Sequence, residues 1–215
     1  MTAFEIQGIP AADVANALDA SKILYVFTGS FARSAWDVPA STQDVDVVVY
    51  ARSRMQVATF LRDLGDAVPS VDPQRTLAEL DRSKQSIVAM PLLEGGSFDV
   101  EFLLPKVSKE IDRGVLDRSR KYPYPGTPRG VHVVSPEDWM LFKIVFFRPK
   151  DQAAVEDVLR NKRDVDTGAV MLRLRSIYPD EDPRIDWFRD AVSRCAPRRS
   201  NRPRTRQRPR SRGGR

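Results

Sequence analysis

The stretch that most constrains the fold is an apolar run, residues 23–27, that closes on Phe27-Thr28-Gly29-Ser30. After a spacer of thirteen residues comes Asp44-Val45-Asp46-Val47-Val48-Val49. The first piece predicts a buried strand running into a tight turn, with a short helix starting over residues 31–35. In the second, the two-residue repeat of a strand puts Asp44 and Asp46 on one face and the alternate valines on the other. Gly29 allows the backbone to approach a ligand closely. The N–H groups that open a helix there, together with the Ser30 hydroxyl, form a cradle suited to phosphate. Two adjacent carboxylates repel each other unless a cation lies beside them. Hard oxygen donors of this kind suit Mg²⁺ or Mn²⁺, which take their remaining ligands from water and phosphate.

A third acid is offered downstream in Ser97-Phe98-Asp99-Val100-Glu101-Phe102-Leu103-Leu104, a further predicted strand. Asp99 and Glu101 share a face there, so parity does not separate them. The ordered set of strand, Gly-Ser, spacer, Asp-x-Asp and later acid resembles the nucleotidyltransferase superfamily related to DNA polymerase beta, over about the first half of the chain. That resemblance implies an α+β fold, a mixed sheet flanked by helices. It also implies metal-dependent transfer of a nucleoside monophosphate from a nucleoside triphosphate to an acceptor hydroxyl. Asp44 and Asp46 would hold the metal that carries the triphosphate. Asp99 would join them around a second metal; it is favoured over Glu101 because the family's acid usually opens the apolar part of its strand. Gly29 and Ser30 would hold the β- and γ-phosphates.

The second half brings a separate pattern. Ser135-Pro136-Glu137-Asp138 is a helix start, with Ser135 as cap, Pro136 at the first helical position and acids in the first turn. The helix it opens is apolar nearly all round yet carries Lys143, which either reaches the helix edge or faces an anion. Arg148-Pro149-Lys150-Asp151 then ends that helix and starts the next. This order resembles the bacterial nucleotidyltransferases grouped with the AbiEii-type toxins of type IV toxin–antitoxin systems. It implies Lys143 and Lys150 on phosphates and Asp151 orienting a lysine or the nucleotide, with an antitoxin protein as a possible partner. The family often has a second acid three residues after its Lys-Asp pair; here that place is Ala154-Val155, and the nearest acids are Glu156 and Asp157.

Charge separates the tail from the rest. Residues 198–215 hold nine arginines and no acid, leaving 26 basic against 29 acidic residues elsewhere, a net of −3 under an overall +6. The tail's composition cannot bury apolar surface, so it is expected to be disordered and suited to polyanions, RNA or tRNA first among them. Arg118 to Gly126 sets basic residues beside Tyr122 and Tyr124. Such a loop either holds phosphates and stacks a base or simply packs across the surface.

No apolar run is long enough for a membrane span and no secretion leader is evident, so a cytoplasmic protein is expected. The single cysteine, Cys195, excludes an internal disulfide. Helices are expected over residues 11–20, 53–64, 72–82, 107–116, 135–147, 152–162, 164–178 and 183–195. Further strands are expected over 85–92 and 130–134, the first turning at Glu94-Gly95-Gly96 into the Asp99 strand. Met55, Phe60 and Leu64 are assigned to one buried face, and Met171, Leu172, Leu174, Ile177, Trp187, Phe188 and Val192 to a helical core.

The expected organisation is a nucleotidyltransferase core over 1–134, a C-terminal helical bundle over 135–197 and an Arg-rich tail over 198–215. The expected acceptor is RNA or protein. A catalytically silent nucleic-acid binder and an enzyme acting on an antibiotic-like small molecule are the alternatives.

Overall fold

The structure, a computed structural model, describes residues 11–36, 45–51, 53–69, 71–83, 87–91, 97–103, 110–161 and 164–195. Asp44, the turn at residues 94–96 and the Arg-rich tail lie outside them.

The chain opens with helix α1 (Ala11–Ala20), which buries Val14 and Leu18, and passes into strand β1 (Leu24–Phe27) and the short helix α2 (Gly29–Ala35). Strand β2 (Val45–Tyr50) follows, then α3 (Arg54–Ala67) and α4 (Pro73–Ser83). The helix starts are those the sequence encodes. Ser53 Oγ accepts from the Gln56 N–H at 3.3 Å, and Asp72 Oδ1 accepts from the Gln74 and Arg75 N–H groups at 3.0 Å each. Such caps are each worth about 1 kcal/mol.

Strands β3 (Ile87–Pro91) and β4 (Ser97–Leu103), helix α5 (Glu110–Arg118), and strands β5 (Arg120–Tyr122) and β6 (Val131–Val133) complete the sheet half. The basic segment read as a loop is therefore an edge strand, because residues 120–122 pair antiparallel with β6.

Among the described residues, six strands form one mixed sheet in the order β3-β4-β2-β1-β6-β5. β1 lies antiparallel to β2 and parallel to β6, while β2 runs parallel to β4. The two strands that flank the Gly-Ser turn are thus neighbours at the centre of the sheet. Val47, Val48 and Val49 are all buried, as are Tyr25, Val26 and Phe27, so both faces of the sheet centre are covered.

The second half is helical: α6 (Pro136–Phe146), α7 (Pro149–Asn161), α8 (Thr167–Ile177) and α9 (Pro183–Cys195). Ser135 caps α6, its Oγ accepting from the Asp138 N–H at 3.1 Å, and Pro136 opens the helix. Helix α6 packs against α2 on the sheet side and against α7, α8 and α9 on the other, which explains its apolar surround: Trp139, Met140, Leu141 and Ile144 are all buried. One continuous hydrophobic cluster runs from α1 and the sheet through α6 to Val170, Leu174 and Phe188.

Two assignments to the core are corrected. Met55 is 78% exposed and Leu172 is 73% exposed. In α3 the buried stripe is Val57, Phe60, Leu61 and Leu64, and in α8 it contains Val170 and Leu174. Both misassigned residues stand two positions off their stripe, a rotation of about 200° at 3.6 residues per turn.

Candidate active site

The Gly-Ser turn and the acidic strand meet at one point. Thr28 donates its backbone N–H to the Asp46 carbonyl at 2.9 Å, which brings the end of β1 onto the start of β2. Gly29 has φ +61°, and a Cβ built there would lie 1.8 Å from Asp46 Oδ2 and 2.8 Å from its Cγ. The Asp46 carboxylate therefore occupies the space that any side chain at position 29 would need. Glycine is favoured twice over, by a backbone conformation that side chains rarely adopt and by that carboxylate.

In the parallel ladder, position 99 stands level with position 46, and position 101 with position 48. Asp99 is thus the register partner of Asp46, and Glu101 that of Val48. Among the described residues no group of three or more His, Cys, Asp or Glu side chains gathers in one place. Asp44 is outside the described set.

Helix α6 reaches the same turn from the other side. The buried Trp139 indole N–H donates to the Gly29 carbonyl at 2.9 Å, and Lys143 Nζ lies 5.6 Å from the centre of the Trp139 ring, within cation–π range. Lys143 Nζ also faces Asp151 Oδ1 at 3.5 Å. Asp151 is itself 1% exposed and accepts from Arg148 Nε at 2.6 Å, with Arg148 NH2 farther off at 3.3 Å. Burial pushes the Asp151 carboxyl up, but the Arg148 hydrogen bond and the Lys143 and Arg148 charges outweigh it and hold it below its ordinary value.

The structure thus joins Gly29, Asp46, Lys143 and Asp151 through Trp139. It does not bring in Lys150, which is exposed in the first turn of α7; among the described residues no ion pair ties it to that set. Ser30 is partly exposed, and its carbonyl accepts from Ser34 Oγ at 3.3 Å.

Three features escaped the sequence. Trp139 looked like one more apolar position on a buried helix. Arg33, in the last turn of α2, forms an ion pair with Asp157 of α7, tying the Gly-Ser helix to the bundle. Asp157 is one of the two acids nearest the place where the family pattern carries its second acid; the other, Glu156, is paired with Arg160 and Arg194.

The third feature is Asp138, which looked like an acid complementing the helix dipole. It is fully buried, and Arg118 grips it with two bonds of 2.7 and 2.8 Å. Arg173 and the Ser135 hydroxyl donate to it as well. No local signal marks it, because an acid in the first turn of a helix is ordinarily solvated.

The tyrosines of the basic segment serve packing. Tyr124 lies 5.5 Å from Phe31 ring to ring, and both Tyr122 and Tyr124 rest against the core. His132 sits on β6 with Nδ1 3.2 Å from Ser119 Oγ and its ring edge-on to Tyr25. Cys195 is a free thiol whose Sγ lies 3.7 Å from the Glu156 carbonyl. Among the described residues no helix is long and apolar enough to cross a membrane.

No protein-family model matches the chain, and none of the curated proteins searched matches it. Among solved structures it is similar to an antigenic nucleotidyltransferase-like protein from Paracoccidioides brasiliensis, at 14% identity over 81% of this chain and 89% of that one, with a TM-score of 0.40. It is similar also to the antibiotic-resistance factor ANT(2'')-Ia in solution, at 14% identity over 86% of this chain and 89% of that one, with a TM-score of 0.42. The complex of ANT(2'')-Ia with adenylyl-2''-tobramycin gives 14% identity, 87% and 97% coverage and a TM-score of 0.40. Likenesses this loose carry no residue roles across, so the chemistry has to be argued from the chain's own geometry.

Proposed function

We propose that the chain is a metal-dependent nucleotidyltransferase that moves a nucleoside monophosphate from a nucleoside triphosphate to an acceptor hydroxyl. The observation that carries this reading is the fit of the Asp46 carboxylate into the space left by Gly29. A hard anionic donor is held there against the positive-φ turn at Gly29, with Asp99 level with it in the ladder. That donor chemistry fits Mg²⁺ or Mn²⁺, which Asp44, Asp46 and Asp99 would hold. A divalent ion there supplies Lewis-acid neutralisation of the charge on the triphosphate and on the acceptor oxygen.

The remaining work falls to the chain. Gly29 and Ser30 present backbone N–H groups to the β- and γ-phosphates. Lys143 exchanges part of its pairing with Asp151 for a phosphate oxygen, and Arg148 keeps Asp151 neutralised while it does so. Lys150 adds a solvent-exposed positive charge at the rim. The acceptor oxygen forms its bond to the α-phosphorus as the bond to the bridging oxygen breaks. Pyrophosphate leaves and the hydroxyl proton passes to water. Positioning and charge suffice for this chemistry, and no histidine or cysteine nucleophile is required.

The nine arginines of the tail favour a polyanionic acceptor, with RNA such as tRNA ahead of protein. The inward packing of Tyr122 and Tyr124 speaks against a silent nucleic-acid binder that relies on them for stacking. A toxin role, with an antitoxin protein as partner, is the setting in which such an activity would be restrained.

The test is label transfer from each α-labelled nucleoside triphosphate with Mg²⁺ and total tRNA or cell lysate. The Asp44→Ala/Asp46→Ala double variant runs alongside. Label on a macromolecule with the unaltered protein alone supports the reading and shows nucleotide and acceptor together. Absence of transfer, with no triphosphate binding by calorimetry, removes it. Gly29→Ala should lose activity by at least about 100-fold, because it displaces the Asp46 carboxylate and strains the turn. Retention of more than a tenth of the activity in that variant would separate the turn from the chemistry.

A further inference from the structure

Among the described residues, Trp139 touches both Gly29 and Lys143, and nothing in the motifs assigns it a role. Its indole N–H reaches the Gly29 carbonyl across 110 residues of sequence, while its ring lies under the Lys143 ammonium. Gly29 is the residue against which Asp46 rests, so a single rigid group spans from the acidic turn to the phosphate-binding lysine. The indole is 1% exposed within the hydrophobic core, so it has little freedom to rotate. A rigid two-torsion aromatic is well suited to fix the spacing of two groups carried on different elements.

We infer that Trp139 is a positioning residue for nucleotidyl transfer: its N–H sets the Gly29–Asp46 turn and its ring sets Lys143, fixing the distance between the acidic centre and the ammonium that meets the phosphates. The inference rests on the nucleotidyl-transfer reading above. It has a second part. Lys143 holds Asp151 loosely, at 3.5 Å, whereas Arg148 holds it at 2.6 Å. The lysine can therefore turn toward a triphosphate without leaving Asp151 unpaired, and in doing so it changes the electrostatic surroundings of the indole.

Trp139→Phe keeps an aromatic platform for Lys143 and removes the donor to Gly29. Transfer by this variant should show kcat reduced about 10- to 100-fold, the scale of a sub-ångström to ångström misplacement of reacting groups. KM for the triphosphate should stay within about twofold, because the lysine and its ring are retained. Trp36→Phe is the control. It removes a neighbouring buried indole whose N–H has no hydrogen-bond partner among the described residues, and should leave kcat within about twofold.

A second measurement does not depend on how Trp139→Phe folds. In a Trp36→Phe/Trp187→Phe protein, Trp139 is the sole indole, and its emission should shift when a triphosphate is added with Mg²⁺, in step with binding measured by calorimetry. If Trp139→Phe matches Trp36→Phe in kcat, or if triphosphate binds without moving the Trp139 emission, the positioning role is overturned and the enzyme reading stands. If the unaltered protein neither binds nor transfers a nucleotide, the enzyme reading falls and takes this inference with it.

Discussion

Helix α6 and the start of α7 carry two buried carboxylates, Asp138 and Asp151, both at most 1% exposed and both paired with two cations. They are built differently. Asp138 has a fork-to-carboxylate pair with Arg118, a second arginine and a hydroxyl, and its own backbone N–H is bound by Ser135. Every lone pair is engaged by groups drawn from α5, α6 and α8. Asp151 has one close arginine, itself half exposed, and one lysine at 3.5 Å on a flexible stem. The first carboxylate is a fastener. The second is met by a lysine at longer reach, on the helix whose Trp139 bonds the Gly29 carbonyl. A static list of salt bridges would treat them alike; the identity of the cation and the tightness of its grip distinguish them.

The sharpest break between the two is Asp138→Asn. It leaves Arg118 and Arg173 without their counter-charge beside a fully buried site, which should cost about 3 kcal/mol, the low end for such pairs because both arginines reach solvent. Thermal melting should fall by about 10 °C. A fall of less than about 3 °C would show that Asp138 does not fasten the helices.

Asp151→Asn should cost less, about 1 kcal/mol, because the half-exposed Arg148 can be hydrated. Its signature is in the pH dependence. The folded Asp151 carboxyl sits below its ordinary value of 3.8, so its stabilisation is complete above that value and is lost as pH falls through the folded value. Acid melts below pH 4 should therefore be shallower in Asp151→Asn than in the unaltered protein. Equal slopes would mean that Asp151 is not held ionised by its cations.

Lys143→Met should change stability by less than about 1 kcal/mol, since Arg148 still covers Asp151 and the methionine stem still packs on Trp139. Triphosphate affinity should fall about tenfold, the worth of one charge-assisted contact. Normal affinity in that variant would place Lys143 among the fasteners.

The smallest effect is expected at His132. Burial first, and then the Lys121 charge, hold its imidazole below the ordinary value of 6.5, against an opposing pull from Asp19. The unfolded chain therefore takes up a proton that the folded one refuses, and stability declines as pH drops below 6.5 toward the folded value. His132→Phe, which preserves a ring against Tyr25, should remove that slope. Persistence of the slope would assign it to another group.

Local features were legible from the sequence. The Ser53, Asp72 and Ser135 caps and the glycine at the turn each depend on neighbours within a few residues, and the chain displays them directly. What could not be read depends on distant partners. Asp138 in a first helical turn beside Pro136 carries every mark of a solvated acid. Its burial is decided by Arg118, twenty residues before it, and Arg173, thirty-five after. Trp139 obeys the same rule, because its acceptor is a backbone carbonyl that no motif advertises. The edge strand at Arg120–Tyr122 was hidden for another reason. Its charged residues and following prolines read as a loop, and only pairing with β6 makes it a strand. Of the acidic set, the sequence proposed three members; the geometry ties Asp46 to the turn and gives Asp99 its register.

The contacts that complete the turn also set a timetable. Gly29 receives its indole partner from residue 139, and Arg33 receives an ion pair from residue 157. A chain emerging from the ribosome at about 5–20 residues per second therefore exposes its acidic strand for several seconds before α6 and α7 can brace it. During that interval the segment around Asp46 lacks the support that any catalytic geometry would need. An enzyme of this design would come into action only when nearly all of its folded body had been made.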